Sequence, residues 1–177
     1  MYCYKMNSGK LLLGLIVSIL LLLPVSGCKV TYNFTNASLP PEIKTVSIQY
    51  FQNLAQLVNP SLSNYFTEEM KNKFISQTSL NVVNDFGDLQ FSGHITSYTF
   101  APIAIQGNEV AAKNRLTISV KVKFENSKDD KYNYDKTFTQ FEDFDSNVNF
   151  TQVESELVRL IVEKLVDEIF NNAVANW

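Results

Sequence analysis

Residues 115–125 read RLTISVKVKFE. Leu116, Ile118, Val120, Val122 and Phe124 recur at every second position, with Thr117, Ser119, Lys121 and Lys123 between them. A period of two is the signature of a strand with one apolar face and one polar face. It is the cleanest strand in the chain, so the remaining segments are read by what they offer it: neighbours in a sheet, or cover for its apolar side.

Three segments offer themselves as neighbours. Lys44–Phe51 (KTVSIQYF) alternates, with Val46, Ile48 and Tyr50 opposite Thr45, Ser47 and Gln49. Leu89–Phe100 (LQFSGHITSYTF) puts Leu89, Phe91 and Ile95 on one side and Gln90, Ser92, His94 and Thr96 on the other, and Gly93 reads as a bulge. Tyr132–Phe144 follows the polar loop NSKDDK. Its alternation slips after Phe138, where Phe141 and Phe144 come at spacings of three, and the slip suggests a second bulge. A short apolar run, Leu80–Val83, leads into a turn at Asp85–Asp88. Residues 101–113 carry Pro102 and Gly107-Asn108, so a turn with frayed strand ends is expected there.

Two segments supply the cover. Asn59-Pro60 is a helix start, with Asn as the cap and Pro at the first helical position. Leu62, Tyr65/Phe66, Met70 and Phe74 then recur every three to four residues, and Glu69 stands four residues before Lys73 as a favourable pair. Thr151-Gln-Val-Glu154 has the form of a capping box. It opens a helix to about Ala173 with a main stripe of Val153, Leu157, Leu160, Ile161, Leu165 and Ile169. Val158, Val162, Val166 and Phe170 widen that stripe beyond a single contact surface. The order is β-α-β-β-β-α. The expected fold is α+β: a two-layer sandwich with two helices on one face of a four-stranded sheet, whose last three strands form an antiparallel meander. The other sheet face, rich in Thr, Ser, Gln and Lys, is left to water or to a partner.

The N-terminus points to an address. Leu11–Leu23 is an apolar run that follows Lys5 and Lys10 and ends at Pro24. As a helix it would cover about 20 Å, short of the roughly 30 Å hydrocarbon core, so it reads as a cleaved signal. Val25-Ser26-Gly27-Cys28 resembles the bacterial lipobox, in which the cysteine sulfur receives a diacylglyceryl group and the chain is cut before it. The plainer alternatives are an ordinary signal with an incidental cysteine, or an uncleaved anchor. The start is Met1 or Met6. Residues 1–27 are thus expected to be a lipoprotein signal peptide and 28–43 a lipidated tether, with Pro40-Pro41 extended and Tyr32 and Phe34 docked on the domain; 44–177 is the folded domain. Trp177 either packs back on the last helix or sits free. Lys29, where some bacteria retain lipoproteins at the inner membrane by an aspartate, favours the outer membrane, periplasmic face.

Removing Lys5 and Lys10 with the signal leaves 13 basic residues against 18 acidic, a net charge near −5. That excludes nucleic acid as the natural partner. Cys3 is lost with the signal, so the mature chain has neither a disulfide nor a cysteine metal site. His94 is the single histidine, at an outward strand position with no nucleophile elbow beside it. Asp85, Asp88, Asp129, Asp130, Glu142, Asp143 and Asp145 cluster in or near loops, where solvation accounts for them. Asp143-Phe-Asp145-Ser-Asn147 spaces oxygens like a calcium loop but lacks its glycine and distal glutamate. No phosphate-binding or metalloprotease motif is present in the sequence. An enzyme is the remote reading, and no cofactor is expected beyond the acyl group on Cys28.

Taken together, VSGC, TYNFTNASLPPEIKTVSI, YFQNLAQLVNPSLSNYFTEEMKNKF, GDLQFSGHITSYTFAP, NRLTISVKVKFEN, FEDFD and DEIFNNAVANW resemble the LptE family of lipopolysaccharide-assembly lipoproteins, in its Bacteroidetes-type branch. The resemblance covers essentially the whole chain and rests on overall pattern. It implies a non-enzymatic module that plugs the lumen of a large outer-membrane β-barrel, the lipopolysaccharide translocon, and supports its folding. It also implies contact with lipopolysaccharide, whose phosphates call for cations; Arg115, Lys121 and Lys123, together on one strand, are the candidates. A free-standing periplasmic lipoprotein that binds a small ligand or envelope component is the second reading. Co-purification of a large barrel protein separates the two.

Overall fold

The computed structural model describes residues 39–57, 59–103 and 112–174. Cys28, the signal, Tyr32, Phe34 and Trp177 lie outside the described residues.

Strand β5 (Lys113–Asn126) lies one strand in from the β6 edge of the sheet. It pairs antiparallel with β4 (Leu89–Ile103) on one side and β6 (Tyr134–Asp145) on the other, which is the expected meander. Strand β1 (Thr45–Ile48) lies parallel to β4, and β3 (Asn81–Val83) parallel to β1, so the order across the sheet is β3-β1-β4-β5-β6. A two-residue strand, β2 (Gln52–Asn53), continues along β4 opposite His94 and Ile95. The sheet is therefore mixed, and the four expected strands are joined by two others. Elements of two and three residues are too short to display a period.

Helices α1 (Leu62–Gln77) and α2 (Phe150–Val174) cover one face. The α1 stripe buries Leu62, Phe66, Met70 and Phe74, and the α2 stripe buries Leu157, Val158, Ile161, Val162, Leu165, Val166, Ile169 and Phe170. These meet Leu116, Ile118, Val120, Val122 and Phe124 of β5 in a single apolar cluster. Phe74 ties the layers together, its ring 5.0 Å from Phe91 of β4 and 5.0 Å from Phe170 of α2. The width of the α2 stripe has its explanation here, since that helix rests on the sheet and on α1 at once.

Several local expectations are corrected. The bulge in β4 falls between Ile95 and Ser97, not at Gly93. Gly93 serves a close approach instead: a Cβ there would lie 2.0 Å from the Lys121 carbonyl oxygen and 2.8 Å from the Phe51 ring, on a backbone with φ +157°. Strand β6 keeps one unbroken register with β5, so the slip after Phe138 is not a bulge. Phe141 is simply an aromatic on the outer face. Helix α1 begins at Leu62, two residues later than expected, because the Asn59 side chain folds into a local turn. Its Oδ1 accepts from the backbone N–H of Ser61 (3.1 Å) and the Ser61 hydroxyl (2.8 Å). At the start of α2, Asn149 Oδ1 accepts from the Thr151 N–H (3.1 Å), leaving Glu154 free of the capping role read from the sequence. Lys73 reaches across to Asp167 of α2 (2.7 Å) rather than to Glu69. Pro40-Pro41 sits in a turn closed by the Ile43 N–H to the Pro40 carbonyl (3.0 Å), with proline at the second turn position.

The 84–88 connection carries the chain from β3 across β1 to β4. Gly87 lies against the β1 backbone, where a Cβ would come within 2.5 Å of the Ser47 nitrogen. To deliver it there, Phe86 takes φ +53° and leaves its ring 92% exposed. Asp88 then closes the crossing. Its Oδ2 accepts from the backbone N–H groups of Lys44 (2.9 Å) and Thr45 (3.1 Å) and from the Thr45 hydroxyl (2.9 Å), and its Oδ1 pairs with Lys128 (3.0 Å). Foremost the Lys44 N–H, and also Lys128 and Thr45, pull the Asp88 pKa down to about 2, against the opposing effect of burial. One of the carboxylates read as solvated is in fact a clasp between β1, β4 and the β5–β6 loop.

Candidate interaction surface

The sheet face turned away from the helices gathers the polar positions of three strands. Alternation in β4, β5 and β6 places Gln90, Ser92, His94, Ser97 and Thr99 beside Arg115, Thr117, Ser119, Lys121 and Lys123, and these beside Asp135, Thr137, Thr139, Phe141 and Asp143. Side chains along this face are half-exposed or exposed. The middle is a hydroxyl ladder: Ser119 Oγ lies 2.8 Å from Thr139 Oγ1, and the Thr96 hydroxyl donates to the Ser119 carbonyl (3.1 Å). Hydroxyls both donate and accept, so such a face suits a polar wall without demanding one sign of charge.

The three cations expected to meet phosphate all lie on this face, and each has a carboxylate partner. Arg115 grips Asp143 with two parallel bonds, Nε to Oδ1 (2.7 Å) and Nη2 to Oδ2 (2.9 Å). Its guanidinium also stacks 3.6 Å from the centre of the Phe141 ring. The Arg115 hydrogen bonds hold the Asp143 carboxyl below its ordinary range, and Asp143 pushes the Arg115 pKa up. Lys121 pairs with Asp135 (3.2 Å) and Lys123 with Glu125 (2.8 Å). Arg115 stands six positions from Lys121, about 20 Å along the strand, so the three do not converge on one phosphate. His94 faces outward as expected, in register with Lys121.

The remaining carboxylates are largely engaged. Glu142 pairs with Lys164 of α2, Asp129 accepts from the Lys131 N–H (3.0 Å), and Asp130 accepts from the Asn133 amide (3.3 Å). Among the described residues no group of three or more His, Cys, Asp or Glu is placed to hold a metal ion. Glu154 departs furthest from the local capping role its position suggests. Its Oε1 accepts from the Tyr98 hydroxyl (2.5 Å) and the Asn59 amide (2.9 Å), joining α2, β4 and the turn before α1. Burial and then the Glu154 hydrogen bond push the Tyr98 pKa up. Alternation from Leu89 puts Tyr98 on the outer side with His94 and Thr96; the bulge between Ile95 and Ser97 turns it inward, where a buried phenol needs a partner for its hydroxyl. A groove of about 420 Å³ between the helices is lined by Tyr65, Lys73, Arg159 and Asp167 among others; Lys73 pairs with Asp167 across it, and Arg159 pairs with Glu156 and Glu163 along its own helix. No helix among the described residues is long and apolar enough to cross a membrane.

Comparison with known proteins agrees with this architecture. A solved minor lipoprotein from Acinetobacter baumannii is 18% identical, with TM-score 0.51 over 76% of this chain and 95% of that one. A hypothetical protein from Chlamydia trachomatis is 8% identical, with TM-score 0.52 over 76% of this chain and 99% of that one. At these identities the likeness is one of fold. No curated protein sequence matches the chain. The family model for LptE, described as lipopolysaccharide-assembly, matches residues 43–173, from the turn before β1 almost to the end of α2. With its helices, meander and crossing strand all inside that match, the chain belongs to the LptE family of lipopolysaccharide-assembly proteins.

Proposed function

We propose that this protein is a non-enzymatic, lipid-anchored plug and assembly factor of the outer-membrane lipopolysaccharide translocon. Acylation of Cys28 holds it at the periplasmic face of the outer membrane. The domain occupies the lumen of a large β-barrel and supports both barrel folding and lipopolysaccharide insertion. The observation that carries this reading is the hydroxyl-rich face of β4, β5 and β6, uncharged through its centre and ion-paired around it. A barrel interior is polar, and a surface of paired charges and hydroxyls lies against such a wall without stranding an unpaired charge.

Lipopolysaccharide contact through Arg115, Lys121 and Lys123 is the finer part of the proposal. Their carboxylate partners make them exchangeable rather than free cations: phosphate has to displace Asp135 or Glu125. Charge reversal at Lys121 and Lys123 is expected to weaken binding to purified lipopolysaccharide, and unchanged binding removes those two positions from the proposal. The plug itself is tested by co-purification. A tagged chain drawn from detergent extracts brings down a barrel protein in near-equal amount; a lone monomer contradicts the reading.

A further inference from the structure

We infer that the loop between β1 and α1 is a second membrane contact, one that dips into the bilayer holding the anchor; the inference rests on the proposed acylation of Cys28. Tyr50, Leu54 and Leu57 lie on this loop and are 59%, 57% and 56% exposed. The other exposed large apolar side chains among the described residues, Ile75, Phe86, Phe100 and Phe141, are spread over four different elements and connections, whereas these three fall within eight residues of one loop.

The backbone that presents them is fixed. The Gln49 N–H donates to the Phe91 carbonyl (2.9 Å) and the Leu54 N–H to the Ile95 carbonyl (2.9 Å), with β2 paired to β4 between them. The Phe51 N–H donates to the Thr67 hydroxyl (3.1 Å), and the fully buried Phe51 ring packs on Phe66 at 5.1 Å. Phe51 and Ala55 point inward as anchors, so Tyr50 and Leu54 stand outward by construction.

The charge pattern selects the occupant. From Thr45 to Thr67 the sequence has no Asp, Glu, Lys or Arg. A polar lumen wall would leave these side chains unmatched, whereas a bilayer takes up leucine, accepts tyrosine at its headgroup level, and meets no charge to desolvate. Chain length permits it. The number of residues from Cys28 to Leu39 sets an upper reach of about 36 Å, while β1, which separates the tether from the loop, covers about 13 Å. Acyl chains on one residue fix the end of the tether but not the attitude of the domain, and a second apolar contact sets its orientation on the surface.

The test uses the full-length lipidated protein with Trp177→Phe as background, reconstituted in phosphatidylethanolamine–phosphatidylglycerol vesicles with and without brominated acyl chains. Leu54→Trp is compared with Ile75→Trp, a position on α1 that is 60% exposed and off the loop. Both substitutions fall on exposed sites, and circular dichroism confirms the fold. The expected result is a blue-shifted emission that loses most of its intensity to the brominated lipid for Leu54→Trp, with no loss for Ile75→Trp. Water-like, unquenched emission from Leu54→Trp overturns the inference, as does shielding that arises only when the barrel partner is added. Mass spectrometry of the same sample separates the two readings. Acylated Cys28 with an indole left in water removes the loop contact alone; unmodified Cys28 removes the anchor and the inference with it.

Discussion

Replacing Asp88 tests how the crossing at one end of the sheet is held. Asp88→Ala deletes three hydrogen bonds into one carboxylate oxygen and an ion pair at the other. Hydrogen bonds to a charged group are worth about 1.5–3 kcal/mol each in substitution series, but these share an acceptor and the Lys44 N–H can turn to water. A net loss of about 2–4 kcal/mol is expected, read by urea denaturation. The pH dependence gives an independent figure. Folding lowers the Asp88 pKa from 3.8 to about 2, mainly through the Lys44 N–H. A carboxyl depressed in this way adds stability that is full above its unfolded value and is lost as pH falls through its folded value. The shift corresponds to at most about 2.4 kcal/mol, and to about 1–2 kcal/mol once solvent screening is allowed for. Asp88→Asn is therefore less stable than the parent by at least that margin at pH 7, and the gap narrows between pH 4 and pH 2. A gap that stays constant down to pH 2, or an Asp88→Ala variant within about 0.5 kcal/mol of the parent, refutes the clasp.

Three further substitutions follow from the geometry. Gly93→Ala drives a methyl into the Lys121 carbonyl and forces β4 and β5 apart, so a loss of about 2–4 kcal/mol is expected by the same denaturation measurement. Phe86→Asn has the opposite sign: the ring is 92% exposed and contributes no packing, while asparagine tolerates φ +53°, so a gain of about 0.5–1 kcal/mol is expected in thermal unfolding. Glu154→Ala strands the buried Tyr98 hydroxyl and the Asn59 amide, for a loss of about 2–3 kcal/mol, with Glu154→Gln recovering part of it.

Sequence periodicity made the layers legible because each long element buries a whole face. The strand over 115–125 and the broad stripe of α2 carry their partners' positions in their patterns. It failed where a side chain is claimed by a distant part of the chain. Glu154 matched a local cap, yet its oxygen is taken by Tyr98, 56 residues away. Asp88 lay in a turn and read as solvated, but the start of β1 comes within hydrogen-bond reach only in the fold. Lys73 had a local partner in Glu69 and took Asp167 across the helix pair. The parallel placement of β1 beside β4 leaves no trace in alternation, since a strand reads the same in either direction. At the outer face, the residues were identifiable and their pairing was not. Arg115, Lys121 and Lys123 share a face by alternation, but the carboxylates that neutralise two of them come from β6, through a register the sequence does not state.

In the proposed plug, the outer sheet face meets a barrel wall. A photo-crosslinking residue placed at Ser119, in the middle of that face, and another at Asn171, exposed on α2, compare the two sides of the domain in living cells. A high-mass adduct with an outer-membrane barrel protein is expected from position 119. An adduct from position 171 with none from position 119, or no adduct from either, contradicts it.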